Sequence, residues 1–126
     1  MGLFDGIMGN ATQLSDKSVE KELKDVLTAD ERIDLSFKLV RDLIVFTNKR
    51  LIIIDKQGVS GKKVEYKSIP YKSISRFSVE TSGHFDLDAE LKIWISSAEL
   101  PAETLQFRKD KNITAIQQAL ASTVLH

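Results

Sequence analysis

The spacing of apolar residues changes along the chain, and each change marks an element. Between Ser15 and Leu27, Val19, Leu23, Val26 and Leu27 recur at helical spacing among Lys and Glu, with Ser15 or Ser18 placed to cap the start. This predicts one amphipathic helix. From Ile33 the period becomes two, because Ile33, Leu35, Phe37 and Leu39 alternate with Asp34, Ser36 and Lys38 as along a half-buried strand. Asp42 to Thr47 and Arg50 to Lys56 then form a hairpin about Asn48-Lys49, where Asn tolerates the left-handed turn conformation. After the loop Gln57-Gly58-Val59-Ser60-Gly61, strands are expected at Lys62 to Ile69, Ile74 to Thr81, Ala89 to Ser96 and around Leu105 and Phe107. Pro70, Ser82-Gly83-His84 and Pro101 punctuate them. The chain closes on a helix capped by Asn112, with Ile113, Ile116, Leu120 and Val124 along one stripe.

Seven short strands followed by a helix predict a mainly β fold with α: a curved antiparallel sheet or partly open barrel whose open end the C-terminal helix caps. Three stretches sharpen this. They are Phe46-Thr47-Asn48-Lys49-Arg50-Leu51-Ile52-Ile53-Ile54-Asp55, Tyr66-Lys67-Ser68-Ile69-Pro70-Tyr71-Lys72-Ser73-Ile74 and Phe85-Asp86-Leu87-Asp88-Ala89-Glu90-Leu91-Lys92-Ile93-Trp94-Ile95. In this order they resemble the bacterial pleckstrin-homology-like family of small single-domain proteins. The resemblance implies a pleckstrin-homology-like domain over 31–126, built as two packed sheets of a seven-stranded, partly open barrel with a C-terminal capping helix. It also implies an extra N-terminal helical segment over 1–30, packed on the domain or on a neighbouring subunit. Single-domain members are similar in forming cyclic homo-oligomers, rings of five, through edges of neighbouring sheets. The family as a whole has no assigned activity, and fold does not fix function.

At 126 residues, with 42% apolar and 29% charged residues, two Pro and six Gly, the chain reads as one soluble globular core. Cysteine is absent, which excludes disulfides, thiolate nucleophiles and Cys-metal sites and makes a reducing cytoplasm the expected home. The longest aliphatic or aromatic runs, Leu43 to Phe46 and Leu51 to Ile54, fall far short of the ~18 residues of a membrane span. The start, Met1 to Gly9, lacks the basic region and continuous apolar core of a secretion signal, and Gly6 stands where a myristoylation motif needs Ser or Thr. Eighteen basic residues balance eighteen acidic ones, which argues against a dedicated nucleic-acid-binding protein. The balance hides a segregation, however, since residues 1–30 carry −3, 31–80 carry +5 and 81–126 carry −2.

The basic block from Arg41 to Arg76, with nine basic residues against three acidic ones, offers one candidate chemistry. Lys49, Arg50, Lys62 and Lys63 are the candidate contacts to an anion or lipid head group. Phosphoinositide-binding pleckstrin-homology domains place such residues on a long loop between the first two strands, and here that connection is only Val40-Arg41-Asp42. Alternating strand faces also cannot gather the whole block on one surface. A short apolar side formed by Leu3, Phe4, Ile7 and Met8 lacks any Lys or Arg in the first sixteen residues to support membrane contact. His84 beside Asp86 and Asp88 is the one loop with ligand or acid–base chemistry, and it reads as a hydrated turn. No phosphate loop, nucleophile elbow or paired-His motif occurs, and no cofactor is expected.

The positive signal lies in the hairpin. Leu43-Ile44-Val45-Phe46 and Leu51-Ile52-Ile53-Ile54 are apolar at every position, so both faces of these strands carry hydrophobic side chains and the second face needs a cover. The cover is either the N-terminal segment with Leu3, Phe4, Leu14, Val19 and Leu23, or a second copy of the chain. A combination of the two is expected. Trp94 points outward if Leu91, Ile93 and Ile95 set the inner face of their strand. Ile44, Phe46, Ile52, Ile54 and Trp94 are therefore the candidate oligomer-interface residues. The leading expectation is a non-enzymatic cytoplasmic scaffold that assembles with itself into a ring and holds an unidentified protein partner. The alternative is a peripheral membrane adaptor using the basic block.

Overall fold

The computed structural model describes residues 16–39, 42–57, 63–81, 88–108 and 112–125. Helix α1 (Asp16–Glu22) leads into β1 (Ile33–Lys38), β2 (Asp42–Thr47), β3 (Arg50–Gln57) and β4 (Lys63–Pro70). A single 3₁₀ turn (Tyr71–Ser73) then redirects the chain into β5 (Ile74–Thr81), β6 (Asp88–Ile95) and β7 (Glu103–Arg108), and helix α2 (Asn112–Val124) follows. Both sheets are antiparallel meanders, β1-β2-β3-β4 and β5-β6-β7. The expected fold class holds: two packed sheets of a partly open barrel, with no closure between them.

The two inner faces and α2 build one core. Leu35, Phe37, Ile44, Phe46, Leu51 and Ile53 from the first sheet meet Leu91, Ile93, Leu105 and Phe107 from the second, and Ala115, Ile116, Ala119 and Leu120 of α2 close it. Each fully buried aliphatic or aromatic side chain of this kind contributes roughly 1.5–3 kcal/mol. Two register shifts adjust the alternation. In β1 a shift between Ile33 and Leu35 turns Ile33 to the opposite face from Leu35 and Phe37, where it joins a second apolar cluster. A strict period of two had placed it with them. In β5 a shift between Ile74 and Arg76 lets Ile74 share the core with Phe77 and Val79 despite the odd spacing.

Helix α1 stops at Glu22, five residues short of the expected Leu27. Leu23 still donates to the Val19 carbonyl at 3.0 Å, but Val26 then bonds back only three residues, to Leu23 at 2.9 Å. The Val26 carbonyl is taken at 2.8 Å by the Arg50 guanidinium instead of by a further helical turn. A side chain from the sheet thus ends the helix and turns the chain toward β1.

Candidate functional site

The outer face of the four-stranded sheet is covered by its own chain. Register pairs Ile44 with Ile53 and Val45 with Ile52, so Leu43, Val45, Ile52 and Ile54 project away from the core. Val19 and Leu23 lie on them, with Val26, Leu27, Ile33 and Val64 around the rim, and Ile52 and Ile54 are 0% exposed. Glu22, at the end of α1, fastens the cover. It receives Lys56 Nζ at 3.0 Å and the Tyr66 hydroxyl at 2.8 Å, and these bonds, Lys56 first, hold its carboxyl below the ordinary value. The same bond pushes the Tyr66 hydroxyl up.

This placement corrects the expected subunit contact. Ile44 and Phe46 lie in the shared core, while Ile52 and Ile54 lie on the opposite face beneath α1. The four do not share a surface, and none is left for a second copy to cover. Trp94 alone of the five stands at the surface, half-buried on the outer face of the three-stranded sheet.

The basic candidates are corrected in part as well. Arg50 is a staple: its Nε and Nη2 donate to the two Glu31 oxygens at 2.9 Å each, Nη2 also reaches the Val26 carbonyl, and Nη1 donates to Ser68 Oγ at 2.8 Å. Little of its donor capacity is left for a head group. The Glu31 side chain is fully buried, and it also accepts from the Thr47 hydroxyl at 2.6 Å and the Thr28 N–H at 3.1 Å. The Arg50 guanidinium, against the opposing cost of burial, holds the Glu31 carboxyl at about 2. Lys49 is paired with Asp30 at 2.9 Å across the turn that Asn48 organises, where Asn48 Oδ1 accepts the Arg32 N–H at 2.7 Å. Lys63 is exposed at the start of β4, and Lys62 lies outside the described residues. The four therefore do not form one anion site among the described residues.

Polar side chains line the opening between the sheets. Asp42, Asp55, Gln57, Glu90, Thr104 and Gln106 border a cleft of about 500 Å³, whose carboxylates oppose an anionic ligand. Beside it Lys67 bridges the sheets by reaching Glu103 at 3.1 Å. Burial works against its charge, yet Glu103, with Glu65 and Asp55 farther off, holds its ammonium above the ordinary value. Among the described residues no group of three His, Cys, Asp or Glu side chains is arranged to hold a metal ion, and no helix is long and apolar enough to cross a membrane. The side chains of His84, Asp86 and Asp88, and those of Leu3, Phe4, Ile7, Met8 and Leu14, lie outside the described residues.

The outer face of the three-stranded sheet is built differently. Arg76 and Trp94 are register partners on β5 and β6, and the guanidinium sits 4.0 Å from the centre of the indole ring. The indole N–H donates to the Glu99 carbonyl at 3.1 Å, which ties the ring to the β6–β7 turn. Lys92, next along β6 on this face, takes Glu80 at 3.0 Å and Glu90 at 4.0 Å, and the first of these raises its pKa. In the turn, Leu100 is 78% exposed, more than any other large hydrophobic residue among those described.

The bacterial PH domain family matches residues 2–124. The chain belongs to that family. A crystal structure of a pleckstrin homology domain from Shewanella amazonensis SB2B is similar at 48% identity and a TM-score of 0.80, over 99% of this chain and 100% of that one. A duf1696 family protein with a pleckstrin-homology domain from Shewanella loihica PV-4 is 46% identical with a TM-score of 0.77, over 93% of this chain and 99% of its own. Among curated relatives, the uncharacterized protein YjqA of Bacillus subtilis (strain 168) is 62% identical over 99% of this chain and 100% of its own length. As a bacterial PH domain, the chain has a frame compatible with a protein interaction module.

Two features leave little or no trace in the sequence pattern. The Glu31–Arg50 staple joins residues nineteen apart with no local pattern to announce it. Leu100 did leave a signal, an apolar residue between Glu99 and Pro101 in a segment with no strand or helix period.

Proposed function

We propose that this bacterial PH domain is a non-enzymatic cytoplasmic interaction module whose copies join by their sheet edges into a closed homo-oligomeric ring that scaffolds another protein. The observation that carries the reading is the edge of β7. Each sheet is open, and the two outer strands of a sheet carry unpaired backbone groups on one side. Edge strand β4 is protected in the usual way, with Lys63, Glu65, Lys67 and Pro70 along its eight residues. Strand β7, Glu-Thr-Leu-Gln-Phe-Arg, has no lysine and no proline, and its exposed positions are Thr104 and Gln106. Such an edge suits strand addition by a neighbour. Head-to-tail contacts of this kind close when the rotation between neighbours suits the ring, for which the family resemblance implies five copies. The charge segregation along the chain supports oriented, self-complementary contacts.

Lysine placed on that edge tests the reading. A Thr104→Lys/Gln106→Lys variant changes two exposed side chains, so its circular dichroism should match the parent. Light scattering should then show the parent assembled and the variant reduced to a monomer. Equal masses for the two proteins would remove β7 from the interface.

A further inference from the structure

The outer face of the three-stranded sheet carries an unspent binding group. Arg76 is exposed and lies over Trp94, but it makes no ion pair with any described carboxylate. Lys92 on the same face has two carboxylates. A guanidinium stacked on an aromatic face still presents its in-plane N–H groups sideways, in the fork geometry that fits a carboxylate. Beside it, the indole has already given its N–H to the Glu99 carbonyl, so what the ring offers a partner is apolar. Leu100 follows Glu99, whose carbonyl holds the indole, in a turn held at several points: Ser96 N–H to the Ser73 carbonyl at 2.9 Å, Ala98 N–H to Ile95 at 3.3 Å and Ala102 N–H to Ile93 at 2.8 Å. Ser96 turns the chain there with φ of 54°, a conformation that costs a residue other than glycine and persists when its surroundings fix it.

We infer that Arg76, Trp94 and Leu100 form a docking surface for a short acidic–aliphatic segment of a partner protein. One carboxylate of that segment takes the free edge of Arg76, and a neighbouring leucine, isoleucine or phenylalanine packs on Trp94 and Leu100. Charge complementarity selects this occupant, because Arg76 is a cation stacked on an aromatic ring and has no counter-ion among the described residues. Trp and Arg are also the residue types that dominate binding energy at protein contacts, and a fixed turn lowers the cost of ordering the surface on binding. The inference names the partner chemistry of the scaffold proposed above. It moves Trp94 from the contact between subunits to the contact with the partner.

The test uses the full chain and a random dodecapeptide library displayed on phage. Selected peptides should carry Asp or Glu within two residues of Leu, Ile or Phe. Their synthetic forms should change the fluorescence of Trp94, which is the chain's one tryptophan, and bind more weakly as salt rises. Arg76→Glu and Leu100→Ser, both at exposed positions, should each weaken binding at least about tenfold, roughly what loss of one well-placed contact does. No selected peptide, peptides without carboxylates, or affinities unchanged in both variants would overturn the inference. So would binding of vesicles of anionic phospholipid that Arg76→Glu abolishes, or a fall in assembled mass in either variant, which would give the face to a second copy. A monomeric parent that still selects acidic–aliphatic peptides would leave this surface standing and remove only the ring.

Discussion

The two sheets share one core but differ in what lies on their outer faces. Behind the four-stranded sheet, Leu43, Val45, Ile52 and Ile54 make an apolar surface, and the chain folds Val19 and Leu23 back over it. Behind the three-stranded sheet, Arg76, Lys92, Glu80 and Glu90 make a charged surface on which Trp94 is the one large apolar side chain among the described strand residues, with a guanidinium 4.0 Å from its ring centre. The first face is buried in folding, whereas no described segment covers the second. An all-apolar strand pair therefore marks interior on both sides.

The largest effect is expected at the Glu31–Arg50 staple beside the cover. Glu31→Ala leaves the Arg50 guanidinium partly buried without its carboxylate, and a loss of about 4 kcal/mol in denaturant unfolding is expected. The ordinary glutamate value is 4.5 and the folded value about 2, so the pair stabilises the fold fully above pH 4.5 and less as pH falls toward 2. That acid-sensitive contribution is about 3 kcal/mol, and the Glu31→Ala protein should lack it. Next in size, Leu23→Ala empties a fully buried site under α1 and should cost about 3 kcal/mol. Trp94→Ala, at a half-buried position on the outer face, should cost less in total than Leu23→Ala, with about 1 kcal/mol of the loss from the cation–π pair. Equal losses for Leu23 and Trp94 would erase the contrast between the faces. The smallest effect has the opposite sign. Ser36, opposite Val45 on the covered face, is 1% exposed and its hydroxyl has no hydrogen-bond partner among the described residues. Ser36→Ala should raise stability by about 1 kcal/mol, read as a higher denaturation midpoint.

Alternation and helical spacing were enough to read the elements, because each buries one side against a common core and so repeats with its own period. The hairpin bounds Asp42–Thr47 and the start at Arg50 follow from that logic, as does the outward turn of Trp94. What alternation could not carry was the assignment of faces wherever the register slips. Ile33 changed sides through a bulge, and the 3₁₀ turn at Tyr71–Ser73 had no periodic signature. The binding candidates were less legible still. Arg50 and Lys49 read as candidate anion contacts in the sequence because their partners, Glu31 and Asp30, lie far away along the chain and near only in the fold. Conversely, Arg76 was one basic residue among many until the register set it beside Trp94.

Small-angle X-ray scattering of the full chain at micromolar concentration tests the central claim most directly, that this module works as an assembly with its second outer face presented outward. The account predicts forward scattering equivalent to five chains and a distance distribution with the depleted centre of a ring. Scattering from a single compact domain of 126 residues, with a radius of gyration of about 14 Å, would contradict it.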